Sequence, residues 1–273
     1  MNEASLRDRP IIQIRNLSKV YFMGEERVIA LKNINLSINR GEICCIFGTS
    51  GSGKSTLLKH IIGLYEPQKG DIRIEGRSIV SATDTEKLEI MRHFGVTYQG
   101  GALFGSMTVA ENVALPLQEY TGKSPAEIAR KVEEKLKLVD LGGFGDYMPS
   151  ELSGGMRKRA GLARAMALDP QLLFFDEPSA GLDPITSADL DRLILRMRDN
   201  FGATIVVVTH ELDSIFTICD RVAMLDKTTK TIAALGAPAT LRDTSENPRV
   251  RAFLSRDGLK SEDKADVKVK IVE

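Results

Sequence analysis

The sequence predicts an α/β fold built on a mostly parallel sheet with helices on both faces. Three observations lead there. The runs Ile43–Phe47, Leu172–Asp176, Thr204–Val208 and Arg221–Leu225 are apolar almost throughout, and helical segments separate them. Such strands need cover on both faces, which crossover helices provide. The run Ile43–Phe47 also breaks into a loop rich in Gly and Ser, after which Lys54-Ser55-Thr56-Leu57-Leu58 opens a helix. Finally, the chain from about Gly100 to Leu168 changes character and reads as helices.

In chain order, Ile11–Asn16 and Ile34–Ile38 alternate apolar and polar residues, as strands near a sheet surface do, with a turn at Met23-Gly24-Glu25-Glu26 between them. The helix opened by Lys54 is expected to continue to about Gly63. Ile72–Glu75 reads as a short strand, Asp84–His93 as a helix, and Val96–Tyr98 as a strand leading into Gln99-Gly100-Gly101. In the helical region Thr108 and Glu111 form a capping box. Ser124-Pro125 with Glu127 starts a second helix, with Pro at the tolerated first position. That helix places Ile128, Val132 and Leu136 on one face and predicts a Glu127–Lys131 pair. A third helix, Gly154–Leu168, carries Leu162, Ala163, Met166 and Ala167 on its apolar side. Beyond Thr244 the chain is mostly charged. Arg249–Leu254 reads as a last short helix, and Val267, Val269 and Ile271 alternate with lysines in what is expected to be a solvated tail or a strand on a partner's sheet edge. No internal repeat is present.

At 273 residues the chain can bury a sizeable core, as one large domain or a domain with a subdomain. Lys plus Arg and Asp plus Glu are 37 each, so net charge gives no ground for expecting a nucleic-acid partner or an acidic membrane surface. Cys44, Cys45 and Cys219 lie in apolar surroundings, which suits a reducing compartment. Neighbours in a strand face opposite ways, so Cys44 and Cys45 are expected to be core residues rather than a disulfide or metal pair. The start shows no apolar signal region, and apolar runs such as Ile205–Val208 fall far short of the ~20 residues of a membrane helix. The chain is therefore expected to reach a membrane only through another chain.

The loop after Phe47 carries the first chemistry. Gly48, Gly53, Lys54 and Ser55 have the spacing G-x-x-x-x-G-K-[ST]. Glycines at those positions let backbone N–H groups wrap a polyphosphate, and the helix start adds free donors and partial positive charge. Lys54 is then placed to reach the β- and γ-phosphates, and the Ser55 hydroxyl to bind Mg²⁺. A second constellation ends the run Leu172-Leu173-Phe174-Phe175-Asp176-Glu177. Asp176 fits a strand-end carboxylate directed at Mg²⁺, and Glu177 a proton acceptor for an attacking water. The third is Leu152-Ser153-Gly154-Gly155-Met156. Two glycines inside a helix start cost roughly 1 kcal/mol each against alanine, and close approach to a phosphate would justify them. One phosphate loop and two anion-binding helix starts imply a site completed between two molecules.

With these residues in place, the chain resembles the ATP-binding subunits of ABC transporters over about Ile11–Leu241. The resemblance implies a P-loop NTPase of ABC ATPase type: a RecA-like core, an antiparallel β portion and an inserted α-helical subdomain. The domain would span 1–244, with the helical subdomain at about 100–168, and 245–273 would form a C-terminal extension, partly disordered or in contact with a partner. Gly48, Thr49, Ser50, Gly51, Ser52, Gly53, Lys54, Ser55 and Thr56 resemble the Walker A motif, and Leu172–Asp176 the Walker B, with Glu177 as hydrolytic base. Ser153-Gly154-Gly155 resembles the signature that touches the γ-phosphate held by the opposite subunit. Ser179-Ala180-Gly181-Leu182-Asp183 resembles the D-loop at the dimer interface, His210 the switch histidine, and Gln99 the Q-loop glutamine that senses Mg²⁺ and couples to the permease. Tyr21 matches the aromatic that stacks on adenine, with Phe22 beside it as the alternative. Met156 departs from the pattern, since many members have glutamine there. The cofactors implied are ATP and Mg²⁺; the partners are a second copy and integral-membrane permease subunits, with no nucleic acid.

The run Gly100–Val113 and the signature continuation Gly155-Met156-Arg157-Lys158-Arg159-Ala160 resemble more narrowly the ATPases of MCE-associated, Mla-type phospholipid transporters. That implies an MCE-type lipid-carrying partner and a place on the cytoplasmic face of a bacterial inner membrane. The start of the chain, including Met23–Glu26, also resembles ATPases of lipoprotein-release or macrolide exporters, which is the alternative. Non-transport ABC ATPases usually carry two ATPase units or long insertions, and this chain has neither.

Overall fold

The structure is a computed structural model that describes residues 10–24 and 26–255. The chain opens with two antiparallel strands, β1 (Ile12–Met23) and β2 (Glu26–Ile38). Their inner halves carry the alternation read from sequence: Ile12 pairs with Ile38, Ile14 with Leu36 and Leu17 with Ile34, all buried. Both strands run further than expected, because backbone pairing continues from Val20–Ile29 to Met23–Glu26, where the side chains of Phe22, Arg27, Val28 and Ile29 are exposed. Gly24 forms part of the expected turn; Glu25 lies outside the described residues.

Next come β3 (Ile43–Phe47), α1 (Lys54–Ile61), β4 (Lys69–Ile74), β5 (Arg77–Ser78), α2 (Asp84–Met91) and β6 (Phe94–Thr97). The helical region holds α3 (Val109–Tyr120), α4 (Pro125–Leu138) and α5 (Gly154–Ala165). It is followed by β7 (Leu172–Asp176), α6 (Pro184–Phe201), β8 (Thr204–Val208), α7 (Leu212–Ile218), β9 (Arg221–Leu225), β10 (Ile232–Gly236), α8 (Pro238–Thr244) and α9 (Pro248–Leu254). Two sheets result. The antiparallel one has the order β2-β1-β4-β5, and the larger one the order β10-β9-β3-β8-β7-β6. All pairings in the larger sheet are parallel except β10 with β9.

β3 lies between β8 and β9 and is buried along its whole length. Its alternate residues serve opposite cores. Cys44 and Ile46 pack with Leu57, Leu58 and Ile61 of α1 and with the antiparallel sheet. Ile43 faces the cluster shared with α3–α6, while Cys45 and Phe47 face α7 and α9. The two adjacent cysteines thus sit on opposite faces as expected, free and buried.

The capping boxes Thr108–Glu111 and Ser124–Glu127 both form. Glu127 does not pair with Lys131 as expected. Its carboxylate accepts from the Ser124 N–H and hydroxyl at 2.7 Å each, and Lys131 instead reaches Asp169 at 2.9 Å and Glu134 at 3.0 Å. A carboxylate engaged by two donors at the helix start has less to gain from a solvated i,i+4 pair. The third helix stops at Ala165 rather than Leu168, although Met166 and Ala167 stay buried. After Thr244, α9 docks Val250, Phe253 and Leu254 into the core, with the Phe253 ring 5.2 Å from that of Phe47. The alternation at Val267–Ile271 lies outside the described residues. Among the described residues, no helix is long and apolar enough to cross a membrane.

Candidate active site

β3 ends at Phe47, and Gly48 turns the chain at φ +147°. A Cβ at Gly48 would lie 2.5 Å from the Leu225 carbonyl oxygen and 2.9 Å from Ser52 Oγ, so the loop is pressed against the end of β9. The Ser52 N–H donates to the Thr49 carbonyl at 3.1 Å, which closes the bend through Ser50 and Gly51. Ser52 Oγ is buried without a hydrogen-bond partner. Gly53 caps α1 with no side-chain oxygen, so the helix start keeps N–H donors for a ligand. Lys54 lies across this loop, its ammonium donating to the carbonyls of Gly48 at 2.8 Å and Thr49 at 3.3 Å. Burial lowers its pKa, and the Glu177 and Asp176 carboxylates oppose that shift. Ser55 is exposed on the first turn of α1; Thr56, partly buried, accepts at its carbonyl from His60 Nδ1 at 2.7 Å.

α1 lies against β7 and β8, which brings the second constellation to the same place. Asp176 ends β7 with Oδ1 buried and unpartnered. Its pKa is raised, first by burial and then by the Glu177 charge, against the pull of Lys59 and Lys54. Glu177 takes φ +51°, a left-handed conformation that costs a non-glycine residue of order 1 kcal/mol or more. Its N–H holds the Val208 carbonyl at 2.8 Å, tying it to the end of β8. Both carboxylate oxygens lie 2.9 Å from His210 Nδ1, and Oε1 accepts its hydrogen bond. The expected base and the expected switch histidine are therefore in direct contact.

Gln99 is exposed in the turn after β6, and the pairing of Thr97 with Phe175 makes it leave the sheet beside Asp176. Tyr21 is partly buried opposite Val28, with the Lys19 ammonium 5.4 Å from its ring centroid, whereas Phe22 is 69% exposed. Ser153 caps α5, its hydroxyl accepting from the Met156 N–H at 3.2 Å. Gly154 is exposed, and Gly155 sits so close to α6 that a Cβ would meet Thr186 Cγ2 at 2.7 Å. Asp183 caps α6, accepting from the N–H groups of Ile185 and Thr186 at 3.0 Å each. The Thr186 hydroxyl holds its pKa down.

Sequence reasoning missed two basic residues of α5. Lys158 donates to the carbonyl of Ala180, and Arg164 to those of Ala102 at 2.8 Å and Gly101 at 3.1 Å. Lys158 belongs to the run Gly155–Ala160 that carries the narrower resemblance, but nothing in the sequence gives either residue its backbone partner. Arg164 also lines a cleft of about 250 Å³ together with Leu88, Met91, Phe94, Tyr120 and Leu168, between β6, α2 and the helical subdomain.

The family model for ABC transporters matches residues 31–180, more than half of the chain. The chain is 44% identical over 244 residues to a Mycobacterium leprae protein named "Probable ribonucleotide transport ATP-binding protein mkl", covering 89% of this chain and 68% of that one. It is 38% identical to the methionine import ATP-binding protein MetN of Haemophilus ducreyi, covering 80% of this chain and 63% of that one. It thus spans about two thirds of the length of these relatives. Among solved structures, the dimeric post-hydrolysis state of the ATP-binding cassette MJ0796 bound to ADP and Pi matches with a TM-score of 0.77 at 34% identity, over 83% of this chain and 98% of that one. CbiO1 of Clostridium perfringens, part of an ABC transporter complex, matches with a TM-score of 0.77 at 27% identity, over 92% of this chain and 98% of that one. The fold, the family match and these relatives converge: the chain belongs to the ABC transporter ATP-binding family and is an ATP-hydrolysing cassette.

Proposed function

We propose that two copies of this chain close on two ATP molecules and drive a membrane permease, and that the cargo is phospholipid. The observation that supports the hydrolytic half is the Glu177–His210 contact beside the Lys54 loop. Donor chemistry at the end of β7 fits a hard divalent cation: the unpartnered buried Asp176 Oδ1, the Ser55 hydroxyl and the Gln99 amide offer oxygen ligands of the kind Mg²⁺ prefers. When bound, that ion neutralises charge on the β- and γ-phosphates. The remaining steps belong to the chain. Backbone N–H groups of the Gly48–Thr56 loop hold the phosphates, and Lys54 leaves its loop carbonyls for the γ-phosphate. The aromatic ring of Tyr21 is the stacking surface for adenine. Glu177 accepts the proton of the water that attacks the γ-phosphorus, and His210 orients the Glu177 carboxylate and the γ-phosphate. ADP departs with the bridging oxygen. Ser153, Gly154 and Gly155 face the nucleotide of the other copy, and Asp183 lies at the junction of the two. Replacing Glu177 by Gln is expected to keep ATP binding and lower turnover by about 10²–10⁴-fold. Near wild-type turnover of that variant in purified transporter would remove Glu177 from the role of base.

The cleft lined by Leu88, Phe94, Tyr120 and Arg164 is the seat for a permease helix, because it lies between the sheet that carries Gln99 and the subdomain that carries Ser153. On this reading the chain works at the cytoplasmic face of a bacterial inner membrane, held there by the permease. The lipid reading, with an MCE-type protein as further partner, rests on the run Gly155-Met156-Arg157-Lys158-Arg159-Ala160. A second reading, a ribonucleotide or methionine transporter, is favoured by the names of the relatives at 44% and 38% identity. The membrane proteins that co-purify with the chain in mild detergent separate the two. An MCE-type protein with bound phospholipid supports the first; a permease with a small-solute-binding protein, or one of exporter type, overturns it.

A further inference from the structure

We infer that Lys158 is a positioning residue that joins the signature turn to the segment following the hydrolytic carboxylate, so that each site of the closed pair responds to the state of the other. This rests on the two-copy reading above. Helix α5 begins at Ser153, the group that faces the other copy's nucleotide in that reading. Farther along the same helix, the Lys158 ammonium donates to the Ala180 carbonyl. The Ala180 N–H in turn donates to the Glu177 carbonyl at 3.3 Å, so a continuous path of hydrogen bonds runs from α5 to the backbone of Glu177.

A second contact lies one turn away. Gly155 packs against the Thr186 methyl, and the Thr186 hydroxyl is bonded to Asp183, so α5 touches the 179–186 segment at both ends. Burial lowers the Lys158 pKa, and the Glu177 charge raises it. A partly buried ammonium that donates to a carbonyl rather than to a carboxylate gains little for folding to offset its desolvation. It does fix one geometry: displacement of Ala180, three residues from Glu177, is passed to α5 and thereby to Ser153. Hydrolysis at one nucleotide is then felt at the signature turn that serves the other.

The experiment measures ATPase rate against ATP concentration for the purified chain, with Lys158→Met, Lys158→Arg and Glu177→Gln made in parallel. Lys158→Met keeps the stem and removes the donor. It is expected to lower kcat about ten-fold, the size of one lost charge-assisted hydrogen bond, with KM for ATP within about two-fold and a Hill coefficient near one. Lys158→Arg restores a charged donor and is expected to recover kcat to within about three-fold. Wild-type kcat and Hill coefficient in Lys158→Met overturn the inference. So does a Lys158→Arg chain as slow as Lys158→Met with an equally lowered melting temperature, since that marks a packing role. ATP-driven dimerisation of Glu177→Gln, read by light scattering, tells the two readings apart. No dimer overturns the two-copy reading and the coupling with it, whereas a dimer with unchanged Lys158→Met kinetics overturns the coupling alone.

Discussion

The two helix starts proposed to meet phosphate, those of α1 and α5, are built in opposite ways. At α1 the approach is fixed by backbone sterics: Gly48 lies against the Leu225 carbonyl, and no side chain caps the helix. At α5 the Ser153 hydroxyl already accepts from the Met156 N–H, and Gly154 and Gly155 leave the start flat, with Gly155 pressed on Thr186 of α6. The first start, the cradle of the proposed site, is rooted in the buried strand β3. The second sits on an exposed turn of the helical subdomain and is satisfied by its own cap. An uncapped helix start suits the nucleotide a chain holds; a capped turn suits a phosphate that arrives with another copy.

The largest effect that tests this contrast is at Gly48. Gly48→Ala would place a Cβ 2.5 Å from a backbone oxygen at φ +147°, a strain of order 3 kcal/mol or more unless β9 and the loop shift. ATP affinity, read by equilibrium dialysis on the purified chain, is expected to fall at least ten-fold. Unchanged affinity would show that the cradle is not rigid. Ser153→Ala is expected to act differently. Loss of the cap costs about 1 kcal/mol of stability, visible as a lower Tm, and the isolated chain keeps its affinity for ATP. Turnover of the assembled transporter falls further than that stability loss explains. Equal loss of ATP affinity in both variants would erase the distinction between the two helix starts.

Much of the cradle was legible in the sequence, and little of what surrounds the second start was. Ile43–Phe47, Leu172–Asp176, Thr204–Val208 and Arg221–Leu225 form strands with the limits read from their apolar runs, because burial on both faces confines polar residues to the strand ends. The resemblance gave Glu177 and His210 separate roles and no contact with each other; 33 residues separate them, and only the adjacency of β7 and β8 brings them together. The outer halves of β1 and β2 were missed because their pairing is backbone pairing between exposed side chains. The docking of Phe253 on Phe47 depends on a chain path that no local periodicity encodes. Lys158 was missed for the same reason: its carbonyl partner lies 22 residues away, and any donor of that length on that face reads alike.

The smallest effect concerns Asp176 at the end of β7. Burial and the Glu177 charge raise the Asp176 pKa in the folded chain. The folded state therefore binds more protons than the unfolded state between the ordinary carboxylate pKa and the raised one, and stability falls as pH rises through that window. Below the unfolded pKa both states are protonated and the penalty vanishes; above the folded pKa it is complete. Asp176→Asn, which keeps the shape and removes the charge, is thus expected to raise the Tm of the nucleotide-free chain at neutral pH and to change it little in acid. The same substitution should weaken the Mg²⁺ dependence of ATP binding, because the carboxylate that destabilises the empty fold is the one that serves the cation. A lower Tm at neutral pH would mean that Lys54 and Lys59 outweigh burial, and that the cradle is electrostatically satisfied before nucleotide arrives.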